Sequence, residues 1–282
     1  MKVTFLGSGA ATAMPLPFCS CEVCREARIL GGKNISRRAS LVINDDLLID
    51  LGPDSVAACG EYGIDLTKIR YLLQTHAHSD HFDAGHLITR HPEYMGTTDN
   101  ALSIVATGKT LIAMGRMLKD EDGSADLHSP DFLNDLRLGL FPANVGEELT
   151  LGGYKITALD SHHDKNQDAV VYYIEKDGKS ILYGTDMLMA DEQFYDFLAE
   201  KELDILIFDQ TYGEGVNSGG HLDAGMIYDI IKKLRDIGGI SEKTKIYGTH
   251  ISHEGNFTHE KMEAIATEHG YHIAYDGLII EV

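Results

Sequence analysis

The sequence predicts an α/β protein built of layers, and three observations predict it. Short apolar strands alternate with helical segments in both halves of the chain. Turn signals at Asp45-Asp46 and Asp177-Gly178 join neighbouring strands into hairpins. The 282 residues are 43% hydrophobic and 24% charged, a globular composition with material for a sizeable core.

Each element has a local reason. Val3–Leu6 is an apolar run broken by Gly7, Ser8 and Gly9, which reads as a strand entering a tight turn rather than as a secretory leader. Leu41–Asn44 and Leu47–Asp50 form the first hairpin, and Ile69–Thr75 is the next buried strand. A helix is predicted over Ala84–Thr89. The stretch from His91 to Asn144 fits least well: a helix is predicted at Ala101–Leu118, followed by the acidic, turn-rich KDEDGSADLHSPD, and the whole reads as an insertion over one edge. Strands follow at Tyr154–Leu159, Ala169–Glu175, Ser180–Tyr183, Ile205–Asp209, Lys245–Thr249 and Tyr271–Ala274. Helices are predicted at Asp191–Glu200, Asp223–Asp236 and His259–His269. In the second of these, Met226, Ile227, Ile230, Ile231 and Leu234 have the spacing of one buried stripe. Residues 1–282 are read as a single domain.

Charge narrows the function. Lys+Arg number 24 against 44 Asp+Glu, a formal net charge of −20. Such a surface disfavours a large nucleic acid, which needs clustered cations, and docking on an anionic membrane. No apolar run approaches the roughly 18 residues of a membrane span, so a cytoplasmic protein is expected. Arg25, Arg28, Lys33, Arg37 and Arg38 form the densest basic cluster, either a solvated face or a guide for an anionic substrate.

The chain has 14 histidines, and the strongest signal is Thr75-His76-Ala77-His78-Ser79-Asp80-His81, directly after the apolar IRYLLQ. Four ligand-type side chains therefore emerge together from one strand end. Buried without a cation, each imidazole and carboxylate would need its own partner. Imidazole nitrogens with carboxylate oxygens suit zinc, manganese or iron. A second cluster, Cys19-Ser20-Cys21-Glu22-Val23-Cys24, offers three thiolates for a tetrahedral zinc and leaves the fourth ligand open.

His-x-His-x-Asp-His after a strand resembles the signature of the metallo-β-lactamase superfamily, which implies a four-layer αβ/βα sandwich with metals at one rim. The resemblance implies His76, His78 and a third histidine on one metal. That third histidine is His162 or His163 in ITALDSHHD; His163 aligns without a gap and is preferred. It implies Asp80, His81 and His250 on the second metal, with Asp186 of LYGTDM between the two. A histidine at position 78 points to hydrolysis rather than redox chemistry, and the lack of a second-site cysteine disfavours antibiotic hydrolysis.

With its cysteine knuckle the chain is similar to the phosphoribosyl 1,2-cyclic phosphate phosphodiesterases of bacterial phosphonate breakdown. That resemblance implies His253, in His250-Ile251-Ser252-His253, as the fourth ligand of a structural zinc with Cys19, Cys21 and Cys24. It further implies two divalent ions, zinc or manganese, in the active site. It also implies that a metal-bound hydroxide attacks a small cyclic phosphodiester, with Asp80 and His221 acting at the reacting centre and His221 protonating the leaving oxygen. The Gly-rich GEGVNSGGHLD before the helix at 223 is a place where backbone N–H groups can meet phosphate oxygens. Gly7-Ser8-Gly9 reads as a turn under the site, with a phosphate cradle as the alternative, and Asp209 as support for a ligand histidine or a cap. Other readings are a tRNA 3′-processing ribonuclease, a thioester or lactone hydrolase, and a non-catalytic accessory protein of cofactor biosynthesis. The expected partner is a small anionic phosphodiester, with the 91–144 segment shaping the pocket or a homodimer interface.

Overall fold

The computed structural model describes every residue except Met95, Thr98, Asn217 and Ser218. The first half of the chain contributes β1 (Lys2–Gly7), α1 (Glu22–Leu30), β2 (Ser40–Ile43), β3 (Leu47–Ile49), α2 (Ser55–Tyr62), β4 (Tyr71–Leu73), α3 (Ala84–Ile88), β5 (Leu102–Ala106), α4 (Gly108–Glu121), α5 (Pro130–Asp135) and β6 (Leu138–Pro142). The second contributes β7 (Glu148–Leu151), β8 (Tyr154–Asp160), β9 (Val170–Lys176), β10 (Lys179–Gly184), α6 (Glu192–Leu198), β11 (Ile205–Asp209), α7 (Ala224–Asp236), β12 (Lys245–Thr249), α8 (His259–Glu268), β13 (His272–Ile273) and β14 (Ile279–Glu281). Among the described residues these strands make two seven-stranded sheets, in the orders β14-β1-β2-β3-β4-β5-β6 and β13-β12-β11-β10-β9-β8-β7.

Strand periodicity builds the layers. Along β2 and β3, Leu41, Ile43, Leu47 and Ile49 face the second sheet, where they meet Tyr172, Ile174, Ile205 and Ile207 in one core. The alternate residues Val42 and Leu48 face outward and pack with helix residues such as Leu87, Met114 and Leu118. On the other sheet Leu182, Leu206 and Phe208 face outward beneath Ile227, Ile231 and Leu234 of α7. The result is helix, sheet, sheet, helix: the four-layer sandwich expected from the sequence. No helix among the described residues is long and apolar enough to cross a membrane.

Three local expectations change. Ala101–Leu118 is not one helix but β5 followed by α4. The β-branched LSIVA is a buried strand, and Thr107 then caps the helix by accepting the Thr110 amide. The 91–144 segment does not lie over an edge; it supplies the edge, because β5 pairs in parallel with β4 and β6 in parallel with β5. The first hairpin turns on Asn44 and Asp45, both with positive φ, one residue before the predicted pair, whereas Asp177 and Gly178 turn the other hairpin as predicted.

The sheets meet at one rim. Strands β8, β10, β11 and β12 run in the same direction, so their C-terminal ends line one edge. The Val170 amide at the start of β9 donates to the Thr75 carbonyl after β4, at 3.2 Å, joining the two sheets there. Ile207 is fully buried in the inter-sheet core and Ile279 is 54% exposed. Ile207→Ala should therefore cost about 2–5 kcal/mol in urea unfolding, and Ile279→Ala no more than about 0.5 kcal/mol.

Candidate metal centre

Four strand ends deliver the histidines and acids singled out by the sequence. After β4 the chain carries His76, His78, Asp80 and His81; after β8, His163; after β10, Asp186; after β12, His250. Asp186 and His250 both adopt positive φ, as do Asp50 and His162 beside them. Non-glycine residues there are strained, and the strain aims their side chains into the rim rather than along the strand.

Two donor groups result. His76 Nε2 lies 2.9 Å from His78 Nδ1, which lies 3.4 Å from His163 Nε2. In the second group His81 Nε2 lies 3.1 Å from Asp80 Oδ2 and 2.8 Å from Asp186 Oδ2, and His250 Nε2 lies 3.2 Å from the same Asp186 oxygen. Asp186 Oδ1 turns the other way, 3.5 Å from His163 Nε2, so this one carboxylate faces both groups. His163 is thus in the cluster, whereas His162 Nε2 points to Asp191 at 2.9 Å.

The outer nitrogens decide what the inner ones can be. Thr75 Oγ1 donates to Asp50 and so accepts from His76 Nδ1 at 3.0 Å. His81 Nδ1 donates to Asp50 at 2.7 Å, and His163 Nδ1 to the Gly220 carbonyl at 2.7 Å. Thr211 Oγ1 donates to Asp209 and accepts from His250 Nδ1 at 2.8 Å. His78 Nε2 faces Asp164 Oδ2 at 3.2 Å. With each outer nitrogen donating, the five rings, once neutral, would point five lone pairs inward, beside two carboxylates. His81 Nε2, His250 Nε2 and Asp186 Oδ2 are buried with no hydrogen-bond partner, which costs about 1–3 kcal/mol each unless something satisfies them.

Electrostatics says the same. Burial works against a charged His81, yet the carboxylates of Asp186, Asp80 and Asp50 raise its pKa well above the usual imidazole range. Burial would likewise raise Asp186, but His250 and His81 hold it well below the usual carboxylate range. The pocket calls for positive charge, and divalent cations fit the donors present. His76, His78 and His163 could hold one; Asp80, His81 and His250 a second; Asp186 could serve both.

Beside these groups stands His221, which shares a third close cluster with His163 and Asp186. Its Nδ1 lies 2.8 Å from Asp209 Oδ2. Burial pulls the His221 pKa down, but the Asp209 hydrogen bond and charge, with Asp186 and Asp80, push it up to about 9. Asp209 also accepts the amides of Met187 and Thr211. It therefore braces the segment after Asp186 as well as the two histidines.

The knuckle closes as expected. Cys19, Cys21, Cys24 and His253 bring their ligand atoms within 4.8 Å of one another, and Cys21 Sγ lies 3.4 Å from His253 Nδ1. That contact lowers Cys21 to about 6, while burial raises Cys24 to about 11. Four residues of the basic cluster nearby are tied into the surrounding backbone and acids. Arg28 donates to the carbonyls of Cys19 and Leu16, Arg25 to that of Ser20, and Arg37 and Arg38 pair with Asp276 and Asp54. The Gly7–Gly9 turn is no phosphate cradle: its Ser8 and Gly9 amides are taken by Asp276 and the Arg37 carbonyl. In the Gly-rich loop, Asn217 and Ser218 lie outside the described residues, and the Gly220 carbonyl orients His163.

Residues 46–251 match the family described as the beta-lactamase superfamily domain. The chain belongs to this superfamily. Solved structures of the superfamily fold extend the likeness over the full length. A structure described as a new diphosphatase from the PhnP family is 24% identical, with a TM-score of 0.72 over 100% of this chain and 97% of that one. Zn(2+)-bound PqqB from Methylobacterium extorquens is 20% identical, with a TM-score of 0.73 over 100% of both chains. Human tRNase Z, short form, is 16% identical, with a TM-score of 0.64 over 100% of this chain and 99% of that one. No curated protein sequence matches significantly.

Sequence reasoning missed three supports of the superfamily site. Asp50 accepts from Gln74, Thr75 and His81. Gln74 in turn donates to the carbonyls of His76 and His81. Thr211 sets the His250 tautomer. The rule applied to Asp186 and Asp209, an acid ending a buried strand, would have found Asp50 in LLIDLG; Gln74 and Thr211 carry no comparable signal.

Two outcomes follow. Adding zinc or manganese to metal-free protein in weak buffer should raise the melting temperature and release protons, because His81 and, with zinc, the knuckle thiols give up protons to become ligands. An unchanged pH would contradict that reading. Cys21→Ala should lower the melting temperature more than it lowers turnover per folded molecule; equal melting temperatures would remove the knuckle's structural role.

Proposed function

We propose that the chain is a metal-dependent phosphodiesterase that hydrolyses a small cyclic phosphodiester of the phosphoribosyl 1,2-cyclic phosphate type. The observation that carries this reading is a proton donor, His221 on Asp209, standing at a donor set shaped for two cations. In it His76, His78 and His163 serve the first ion, Asp80, His81 and His250 the second, and Asp186 both, with Cys19, Cys21, Cys24 and His253 holding a structural zinc. Bound in these groups, two divalent ions supply Lewis acidity and lower the pKa of water, which hydrolysis of a phosphoester needs.

The remaining tasks fall to the chain. The hydrogen bond and charge of Asp209 favour the protonated form of His221. With Nδ1 held by Asp209, Nε2 is the atom left to give a proton to the departing alkoxide. Asp209 keeps that ring from turning and stabilises its charge. The acidic chain then selects by size. A small phosphate ester meets the local positive charge of the loaded site, whereas a polyanion such as tRNA also meets the net charge of −20. A diphosphatase of the same fold supports phosphorus chemistry at such a rim. The complete donor set speaks against a purely non-catalytic role.

The test pairs two substrates. Wild type should hydrolyse both bis-p-nitrophenyl phosphate and a ribose cyclic phosphate with added manganese or zinc, and His78→Ala should abolish both activities. His221→Ala should cost about 10²–10⁴ in kcat on the ribose ester, whose alkoxide needs a proton, and much less on the p-nitrophenyl ester. Because His221 works as an acid, the wild-type rate on the ribose ester should fall as pH rises through its pKa. Equal losses on both substrates, or a His78→Ala variant as active as the parent, would overturn the assignment.

A further inference from the structure

Behind the first donor group lies a clamp that reaches into the segment between residues 91 and 144. Gln167 sits on the loop between β8 and β9. Its Oε1 accepts the Ala77 amide at 2.7 Å, the peptide between His76 and His78. Its Nε2 donates to Asp164 Oδ2 at 3.2 Å, the same oxygen that lies 3.2 Å from His78 Nε2. Its own carbonyl accepts from Thr107 Oγ1 at 2.9 Å and Thr110 Oγ1 at 3.0 Å, in the first turn of α4. Both threonines are buried, at 3% and 0% exposure, so their hydroxyls have no solvent alternative.

The side-chain amide can make both contacts only in one orientation: oxygen to Ala77, nitrogen to Asp164. It therefore fixes the backbone between two histidines and, at the same time, the carboxylate that orients one of them. His78 is the histidine that needs this most. Its side chain is 41% exposed, against burial of His76 and His81. Packing alone leaves its ring free to turn, and a turned ring would take Nδ1 out of the first group.

We infer that Gln167 is a positioning residue for His78, and that α4 holds it in place through Thr107 and Thr110. The role extends the metal-centre reading and rests on it. Gln167 touches no donor atom of the cluster; it acts through Asp164 and the Ala77 peptide. The edge segment thereby acquires a task in the site although none of its own residues is a proposed ligand.

The test is a cobalt titration of metal-free protein, followed by d–d absorption, with thiolate charge-transfer bands reporting the knuckle separately. Wild type should take up two cobalt ions outside the knuckle; failure there would sink the metal-centre reading itself. Gln167→Ala should weaken one of these two ions about tenfold, the lower end of what loss of an outer partner costs. The other ion and the knuckle should be unchanged, with at most the modest fall in metal-free melting temperature that one lost amide bond brings. Added to His78→Ala, Gln167→Ala should have no further effect on cobalt affinity. If Gln167→Ala does not fold, Thr110→Val, which keeps the volume and loses one donor to Gln167, should give a smaller loss confined to the same ion. Unchanged cobalt affinity, a loss spread over all sites with a lower metal-free melting temperature, or an undiminished effect in the His78→Ala background would each overturn the inference.

Discussion

Five imidazole nitrogens and two carboxylates converge at one rim of the sandwich, and most of the structure around them is there to keep them converged. Such an arrangement repels itself. His76 Nε2 and His78 Nδ1 stand 2.9 Å apart, and Asp80 and Asp186 approach the same His81 nitrogen. Without a cation, protonation of His81 supplies part of the missing positive charge. Everything else follows from holding donors where they would not gather unaided. Left-handed residues end the strands, threonines fix tautomers, and Asp50 and Asp209, both fully buried, brace opposite sides of the cluster.

The fold serves this constraint by bringing strand ends from two sheets to one edge. β4 carries the His-x-His-x-Asp-His segment from the first sheet, while β8, β10 and β12 bring His163, Asp186 and His250 from the second. The Val170–Thr75 backbone bond ties the two sheets where they meet. The knuckle reinforces the same edge. His253 lies three residues past His250, and the Ile251 amide between them donates to the Ser8 carbonyl in the turn that precedes the cysteine loop. An ion in the knuckle would therefore stiffen the loop that presents His250.

Much of the site was legible in the sequence because its residues are chemically loud and sit at the ends of apolar runs. His76, His78, Asp80, His81, Asp186 and His250 come together, and His163 rather than His162 stands with them. The supporting residues were quieter. Gln74 and Gln167 act through amides that any surface loop could carry, and the Thr75 and Thr211 hydroxyls reach Asp50 and His250, 25 and 39 residues away. Sequence spacing cannot register such contacts. The 91–144 stretch was misjudged for a related reason: β5 and β6 are short, and the acidic turns between them mask two strands that become visible only when β5 pairs with β4 and β6 with β5.

The central claim is that these donors hold two divalent cations, bridged by Asp186, with a third in the knuckle. Anomalous diffraction from crystals of the metal-loaded protein, collected at the edge of the added metal, tests it most directly. The account predicts one peak among His76, His78 and His163, one among Asp80, His81 and His250, both contacting Asp186, and one among Cys19, Cys21, Cys24 and His253. A fully loaded crystal with no peak at the rim, or with Asp186 turned away from both groups, would contradict it.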